Sequence, residues 1–354
     1  MSMDEQRQML ADAVGRLFRD RAEAAAGAEA HTWPQELWHE AEELGLPLLL
    51  VPEAHGGIGG SWDDAYVALY PAGQFGIPLP LGEAMLAARL AADAGLELPA
   101  GAASVAPADA ARLEPAGGGW RFSGRLAGVP WGRHVAAVAT VAQVAGKAHV
   151  VLLKPQDAKL HEGRNLAGEP RDALAFDNAA AIAAPCAAPE AAALLEHCAL
   201  IRLAQIVGAL EASLLRSIEY ARERKQFGKA IGQFQAVQQQ LALFGAEAAA
   251  VSCAARGAFR AAASGDAGFQ IAAAKLRANI AIGLATATAH QVHAAIGFTR
   301  EHGLHRSTQR LWSWRSEYGN DQFWSDRLGA QIAKRGPDAF WSDLTARDDA
   351  IAAA

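Results

Sequence analysis

Residues Arg222 to Ala242 read RERKQFGKAIGQFQAVQQQLA, a polar segment broken by glycine and set between long apolar-periodic stretches. Before it, Leu203, Val207, Leu210, Leu214 and Ile218 recur four, three, four and four residues apart. That spacing lays one apolar stripe along a helix. After it, Gln235 to Ala263 has a second helical run closed by Ser264-Gly265, and Phe269 to Ala295 a third, closed by Gly297. Long helices joined by short loops predict an antiparallel bundle over residues 191–354. Inside the quoted segment Arg222, Arg224 and Lys225 stand beside a glycine turn. Guanidinium groups fixed at a helix junction suit a pyrophosphate or another anion. The same cations would equally balance the dipole of a helix C-terminus, and composition leaves both readings open.

Working towards the N-terminus, the texture changes twice. Residues 113–190 contain GGGWRFSGRLAGVPWGRHVAAVATVAQVAGKAHVVLL and ALAFDNAAAIAA, which predict short strands separated by glycine-containing turns. Residues 1–112 are helical again. Met9, Val14, Leu17 and Phe18 give a first helix its apolar face, a second runs near Pro34 to Leu44 and stops at Gly45, and GEAMLAARLAADAG supplies a third. Between them LGLPLLLVPEAHGGIGG carries glycines at 56, 57, 59 and 60, too many for a helix, and predicts a tight loop. The expected fold is therefore α+β: an N-terminal helical domain, a small middle β domain and a C-terminal helical bundle.

Length and charge narrow the function. At 354 residues the chain exceeds one ordinary core. A net charge of -6 disfavours nucleic acid, whose phosphates select basic surfaces. Cys186, Cys198 and Cys253 are isolated, so they predict small core residues in a reducing, cytoplasmic setting rather than disulfides. The most apolar stretch, Val135 to Leu153, is interrupted by Gln143, Gly146, Lys147 and His149, which predicts a β-hairpin and no membrane span.

Several familiar motifs fail on spacing. Gly57-Ile58-Gly59 opens a dinucleotide pattern, but Trp62 stands where a third glycine is required. His290/His293 and His302/His305 lack the intervening glutamate of a zinc hydrolase, so no metal is expected. No G-x-S-x-G elbow occurs. What remains is the basic segment already quoted, and a second one. QVHAAIGFT begins at Gln291, and LWSWRSEYGNDQFW begins at Leu311, concentrating aromatic and charged side chains suited to a pocket or an interface.

These segments carry a resemblance. RERKQFGKAIGQFQAVQQQLA resembles the first helical-hairpin signature of the acyl-CoA dehydrogenase C-terminal domain, QVHAAIGFT resembles that family's Q-x-x-G-G-x-G-F/Y-T segment, and VPEAHGGIGG resembles its N-terminal V-P-E-x-x-G-G-x-G loop. The three come in the family's order and span nearly the whole chain. The resemblance implies FAD at a subunit interface, an oligomer (usually a dimer of dimers), an acyl-CoA substrate and an electron-transfer flavoprotein as acceptor. It also implies that Arg224 meets the FAD pyrophosphate of a neighbouring subunit, with Phe227 and Gln235 beside it, and that Gln291, Asn320 and Gln322 approach the cofactor. The implied reaction is α,β-desaturation, in which a carboxylate removes the α proton and the β hydrogen leaves as hydride.

The chain also departs from the family. Counted from Gln291, the catalytic glutamate position falls on Tyr318, and Glu317 comes one residue early. A phenol of pKa about 10 is a poor base at neutral pH. The alternative base position, on the first bundle helix, holds Cys198, followed by Ala199 in place of arginine, with Glu196 two residues away. The E-P-x-x-G-S-D stretch is missing, and Gly128-Val129-Pro130 ahead of Trp131 replaces the W-I-T/S segment. The expected function is a flavin-dependent acyl-CoA dehydrogenase, active as a homo-oligomer using Glu317 or another base; the alternatives are a half-site subunit beside a second acyl-CoA dehydrogenase chain acting on a bulky thioester, and a flavin-free scaffold.

Overall fold

The computed structural model describes residues 2–27, 31–188, 193–265, 267–299 and 301–342. Element order is helical, then β, then helical. The chain divides into two compact units, Met1–Leu69 with Ile77–Ile201, and Tyr70–Gly76 with Arg202–Ala354.

The first unit opens with α1 (Met3–Gly27) and α2 (Gln35–Glu43). Val14 and Phe18 are buried, as the apolar spacing predicts, but Met9 is exposed and does not share that face. Gly45, at φ +68, ends α2 by letting the chain turn into the left-handed region. The glycine loop then folds back on its own backbone. The amides of Gly57, Ile58, Gly59 and Gly60 donate to the carbonyls of Pro52, Leu48, Val51 and Leu49. Amides spent in this way cannot cradle a phosphate. α3 (Trp62–Phe75) follows, and α4 (Leu81–Asp93) is buried along most of its length.

The sheet comprises β1 (Ala103–Val105), β2 (Ala108–Ala116), β3 (Gly119–Pro130), β4 (Ala137–Val144), β5 (Lys147–Leu153), β6 (Lys159–His161) and β7 (Arg171–Pro185). Its order is β1-β4-β5-β7-β3-β2, with β6 also on β7. Only β1 and β4 run parallel; the remaining pairs are antiparallel. The predicted hairpin over Val135 to Leu153 is β4–β5, turning at Ala145-Gly146 where φ is positive at both residues. β7 is long enough to serve two neighbours, β6 at its start and β5 at its end, on the same edge. Its first turn is anchored by buried Asp172, which accepts from the backbone and guanidinium of Arg133.

The second unit is the bundle. α5 (Leu194–Glu223) enters it at Arg202, and α6 (Gln235–Ser264), α7 (Gly268–His293), α8 (Leu304–Ser316) and α9 (Asp321–Arg335) complete it. Leu203, Val207 and Leu210 are buried, each worth about 1.5–3 kcal/mol when fully removed from water. Ala204, Ile206 and Ala209 are buried too, so this part of the helix is central, and the stripe ends in an exposed Ile218. The last turn of α3 meets α5 at unusually close range. A Cβ on Gly73 would stand 2.0 Å from the Gln205 carbonyl oxygen, and one on Gly208 would stand 2.1 Å from that of Tyr70. Nothing larger than glycine fits either place. Tyr70 donates to Glu211 at 2.6 Å across the same crossing.

Two expectations are corrected. The third bundle helix stops at His293, and a 3-10 turn, Ala294–Phe298, carries the chain on to Gly297. Cys186 and Cys198 are buried, but Cys253 is exposed on α6 and is not a core residue. α5 and α6 are long and apolar enough to cross a membrane by length and composition alone. The apolar window of α5 is 83% buried within the protein, which marks a core helix.

Candidate functional site

The segment between α5 and α6 is a miniature hairpin of β8 (Lys225–Gln226) and β9 (Lys229–Ala230). Its turn is Phe227-Gly228, at φ +53 and φ +83. Glycine takes that geometry freely, whereas a phenylalanine in the left-handed region costs about 1–2 kcal/mol. The Phe227 side chain is 93% exposed, with Phe234 at 6.2 Å as its ring neighbour. The Ile231 amide closes onto the Arg224 carbonyl at 2.8 Å, fixing where the arginine leaves α5. Arg224 and Gln235 are exposed beside the hairpin. A guanidinium, an aromatic ring and an amide, all facing outward, form a donor set suited to a dinucleotide pyrophosphate and its flanking ring system.

At the end of α7, Gln291 is exposed while its histidine neighbours turn inward. His290 Nε2 lies 3.0 Å from Thr308 Oγ1, and its ring stacks on Phe298 at 4.3 Å. His293 Nδ1 lies 2.8 Å from the Ala289 carbonyl, between the rings of Tyr220 at 4.7 Å and His302 at 4.6 Å. Burial holds all three histidines below the usual imidazole pKa and so favours the neutral form. These are packed rings that shape the end of the helix.

The turn from α8 to α9 holds the other predicted residues. Glu317 caps α8, Tyr318 and Gly319 take φ +57 and +105, and Asn320 caps α9 by accepting from the Phe323 amide at 2.9 Å. Gly319 is obligatory, because a Cβ there would meet Trp324 Nε1 at 2.4 Å. Glu317 is not a free carboxylate: Arg202 Nη2 stands 3.0 Å from it. Arg202 is itself buried, also donates to Gln205, and places its guanidinium 5.3 Å from the Trp314 ring and 5.5 Å from that of Tyr318. Asn320 and Gln322 are exposed.

Predicted residues therefore fall into two sets, the hairpin set of Arg224, Phe227 and Gln235 and the turn set of Glu317, Tyr318, Asn320 and Gln322. Sequence reasoning missed Arg202, Gln205, Lys275 and Asn279, which hold the turn from α5 and α7. No local signal marks them: Arg277 stands two residues from Lys275, and the groups they meet lie far along the chain. In the first unit, Cys198 and Glu196 are both buried on α5. Trp131, which follows Gly128-Val129-Pro130, is buried at φ +57 against Trp33 at 5.4 Å. Among the described residues no three His, Cys, Asp or Glu side chains gather as metal ligands would.

Comparison with known proteins bears on this architecture directly. The model of the acyl-CoA dehydrogenase N-terminal domain matches residues 4–95, and that of the C-terminal domain matches residues 190–332. Acyl-CoA dehydrogenase IpdE2 of Mycobacterium tuberculosis is 30% identical over 317 residues, covering 86% of this chain and 90% of that protein. Among solved structures, a variant of the Tcur3481-Tcur3483 steroid ACAD superposes with a TM-score of 0.85 at 24% identity, covering 94% of this chain and 99% of its own. The ChsE4-ChsE5 complex from Mycobacterium tuberculosis gives 0.84 at 22%, covering 95% and 99%. Both structures share the fold. With helical ends matched by both domain models and a relative aligned along nearly its whole length, the chain belongs to the acyl-CoA dehydrogenase family.

Proposed function

We propose that this chain is one subunit of a heteromeric, FAD-dependent acyl-CoA dehydrogenase that desaturates a bulky CoA thioester between Cα and Cβ. The observation that carries the reading is Phe227, an aromatic side chain held at a positive φ and 93% exposed. A chain that spends strain to present an aromatic ring to the outside recovers that cost only when something covers the ring. Arg224 and Gln235 flank it, and this donor set suits the pyrophosphate side of a flavin dinucleotide shared with a neighbouring subunit. A flavin-free scaffold has no need of the set.

Two further features favour a second, homologous chain as that neighbour. The family's catalytic position holds Tyr318, and the adjacent Glu317 carboxylate is already paired with buried Arg202. A guanidinium beside it stabilises the charged carboxylate against taking up a proton. Two solved structures of matching fold are of paired proteins, Tcur3481-Tcur3483 and ChsE4-ChsE5, and the first is a steroid ACAD. When bound, the flavin supplies the hydride acceptor for the β hydrogen. This chain's own contribution is to anchor the dinucleotide through Arg224, to cover it with Phe227, and to wall the substrate with the Tyr318 turn. The base comes from the partner chain, and an electron-transfer flavoprotein receives the electrons.

A second reading keeps Glu317 as the base of a homo-oligomer, favoured by its place one residue from the family position. The visible absorption spectrum separates the two. The chain purified alone should carry little flavin, and co-expression with a second acyl-CoA dehydrogenase chain should give a yellow complex that polycyclic CoA thioesters bleach. A yellow protein from this chain alone, bleached by a thioester and silenced by Glu317→Gln, would establish the homo-oligomer instead.

A further inference from the structure

The bundle buries one ammonium that the proposed reaction does not use. Lys275, on α7, has no exposed surface, yet its Nζ has four oxygen acceptors. Asn279 Oδ1 lies at 2.7 Å, the carbonyl of Trp314 at 3.0 Å, and those of Arg315 and Gly319 both at 3.2 Å. Trp314 and Arg315 end α8, whereas Gly319 lies beyond Glu317 and Tyr318. The ammonium thus grips the chain on both sides of those two residues. Asn279 Nδ2 adds a second donor to Gly319 O at 3.3 Å.

We propose that Lys275 is the positioning residue of the Glu317–Tyr318 turn, its Nζ tying the last carbonyls of α8 to the Gly319 carbonyl so that Tyr318 and the Glu317–Arg202 pair present one fixed face. A helix C-terminus leaves carbonyls without partners, and a buried N–H donor there satisfies them. A single nitrogen on a flexible stem can converge on acceptors from both segments, which the planar fork of arginine cannot. Tyr318, at φ +57, is held in a conformation that a bulky residue leaves when unconstrained. The inference deepens the proposed function, because it rests on this turn facing the thioester.

Burial pushes the Lys275 pKa down to about 7, opposed by Glu317 and Asp321 and reinforced by Arg202 and Arg315. With the turn open and the amine in water, the ordinary value near 10.5 returns. Between those values the open state binds the extra proton, so raising the pH favours the closed turn. Closure is weakest below about pH 7 and strengthens towards pH 10.

The test is hydrogen exchange, read by mass spectrometry on the peptide covering residues 312–324 in the flavin-loaded assembly. In the unmodified protein, protection corrected for intrinsic exchange should rise at least tenfold from pH 6.5 to pH 9. Lys275→Met should lower that protection at pH 9 by at least tenfold, flatten its pH dependence, and leave the visible flavin spectrum intact. Lys275→Gln, which keeps a two-proton donor, should restore part of the protection with no pH dependence. Protection that is flat with pH in the unmodified protein, or unaltered by Lys275→Met, overturns the proposal even if neither variant folds well enough for assay. Loss of flavin with the turn still protected would count against the proposed function and leave the role of Lys275 standing.

Discussion

The turn between α8 and α9 and the hairpin between α5 and α6 are both short, both contain non-glycine residues at positive φ, and both carry residues proposed to meet flavin or substrate. They differ in what answers their polar groups. At the turn, the Glu317 carboxylate meets Arg202, and the Gly319 carbonyl meets Lys275 and Asn279. At the hairpin, Phe227, Arg224 and Gln235 all face outward. A group satisfied by its own chain is positioned by folding, whereas an exposed and strained group is positioned for something that arrives later. On this view the turn is finished architecture and the hairpin is one half of a joint.

The hardest blow to the finished half is Arg202→Ala. Removing one member of a buried ion pair leaves the other charge without compensation, and the expected loss is about 3–5 kcal/mol of unfolding free energy, read by urea denaturation. Replacing both partners, Arg202→Met with Glu317→Gln, should return most of that loss, because two apolar or neutral groups need no mutual compensation. If the double variant were as unstable as the single one, the pair would be incidental and the guanidinium's contact with the Trp314 and Tyr318 rings would carry the site. A smaller loss, about 2–3 kcal/mol, is expected for Gly208→Ala by the same measurement, since the new methyl collides with the Tyr70 carbonyl.

How far each half was legible in the sequence follows the same division. A glycine loop between two helices could be read there because its signals are local, whereas its pairing as a hairpin was not foreseen and its expected cofactor contacts came from the family resemblance. Gly45, Gly265 and the glycines at 56–60 likewise punctuate the chain within a few residues of what they end. The clamp on the turn could not be read, because its parts are distant in sequence. Arg202 and Glu317 meet only when α5 and the end of α8 are packed, and nothing local to either residue encodes the other. Lys275, within an alanine-rich stretch, looks like one more surface lysine until its four acceptors are in place. Cys253 failed in the opposite direction: small apolar neighbours suggested a core, but its face of α6 is open.

The unfinished half predicts the reverse signature, function lost while stability holds. Arg224→Ala should leave the unfolding free energy within about 0.5 kcal/mol, because its side chain is exposed. It should weaken flavin retention by about tenfold or more, the worth of a hydrogen bond to a charged group. Gel filtration followed by the visible spectrum gives the bound fraction, and unchanged flavin content would remove Arg224 from the cofactor site. Phe227→Gly sharpens the point, since relieving the left-handed strain should stabilise the chain by about 1 kcal/mol while reducing flavin or partner binding. A variant both steadier and fully functional would mean that the exposed ring serves neither.

The smallest expected effect lies where the two halves meet in one residue. Tyr318 shares the strain of the hairpin and the internal packing of the turn, with the Arg202 guanidinium 5.5 Å from its ring. Tyr318→Phe keeps the ring and its face for that cation, and removes only the hydroxyl. Stability should change by less than about 0.5 kcal/mol. Steady-state kinetics of the assembled enzyme then separate two roles. A rise in KM at constant kcat would mean that the hydroxyl binds the thioester equally in ground and transition states. A fall in kcat alone would place it beside the reacting carbons. If both constants stay fixed, the phenol only fills space, and Tyr318 belongs wholly to the finished half.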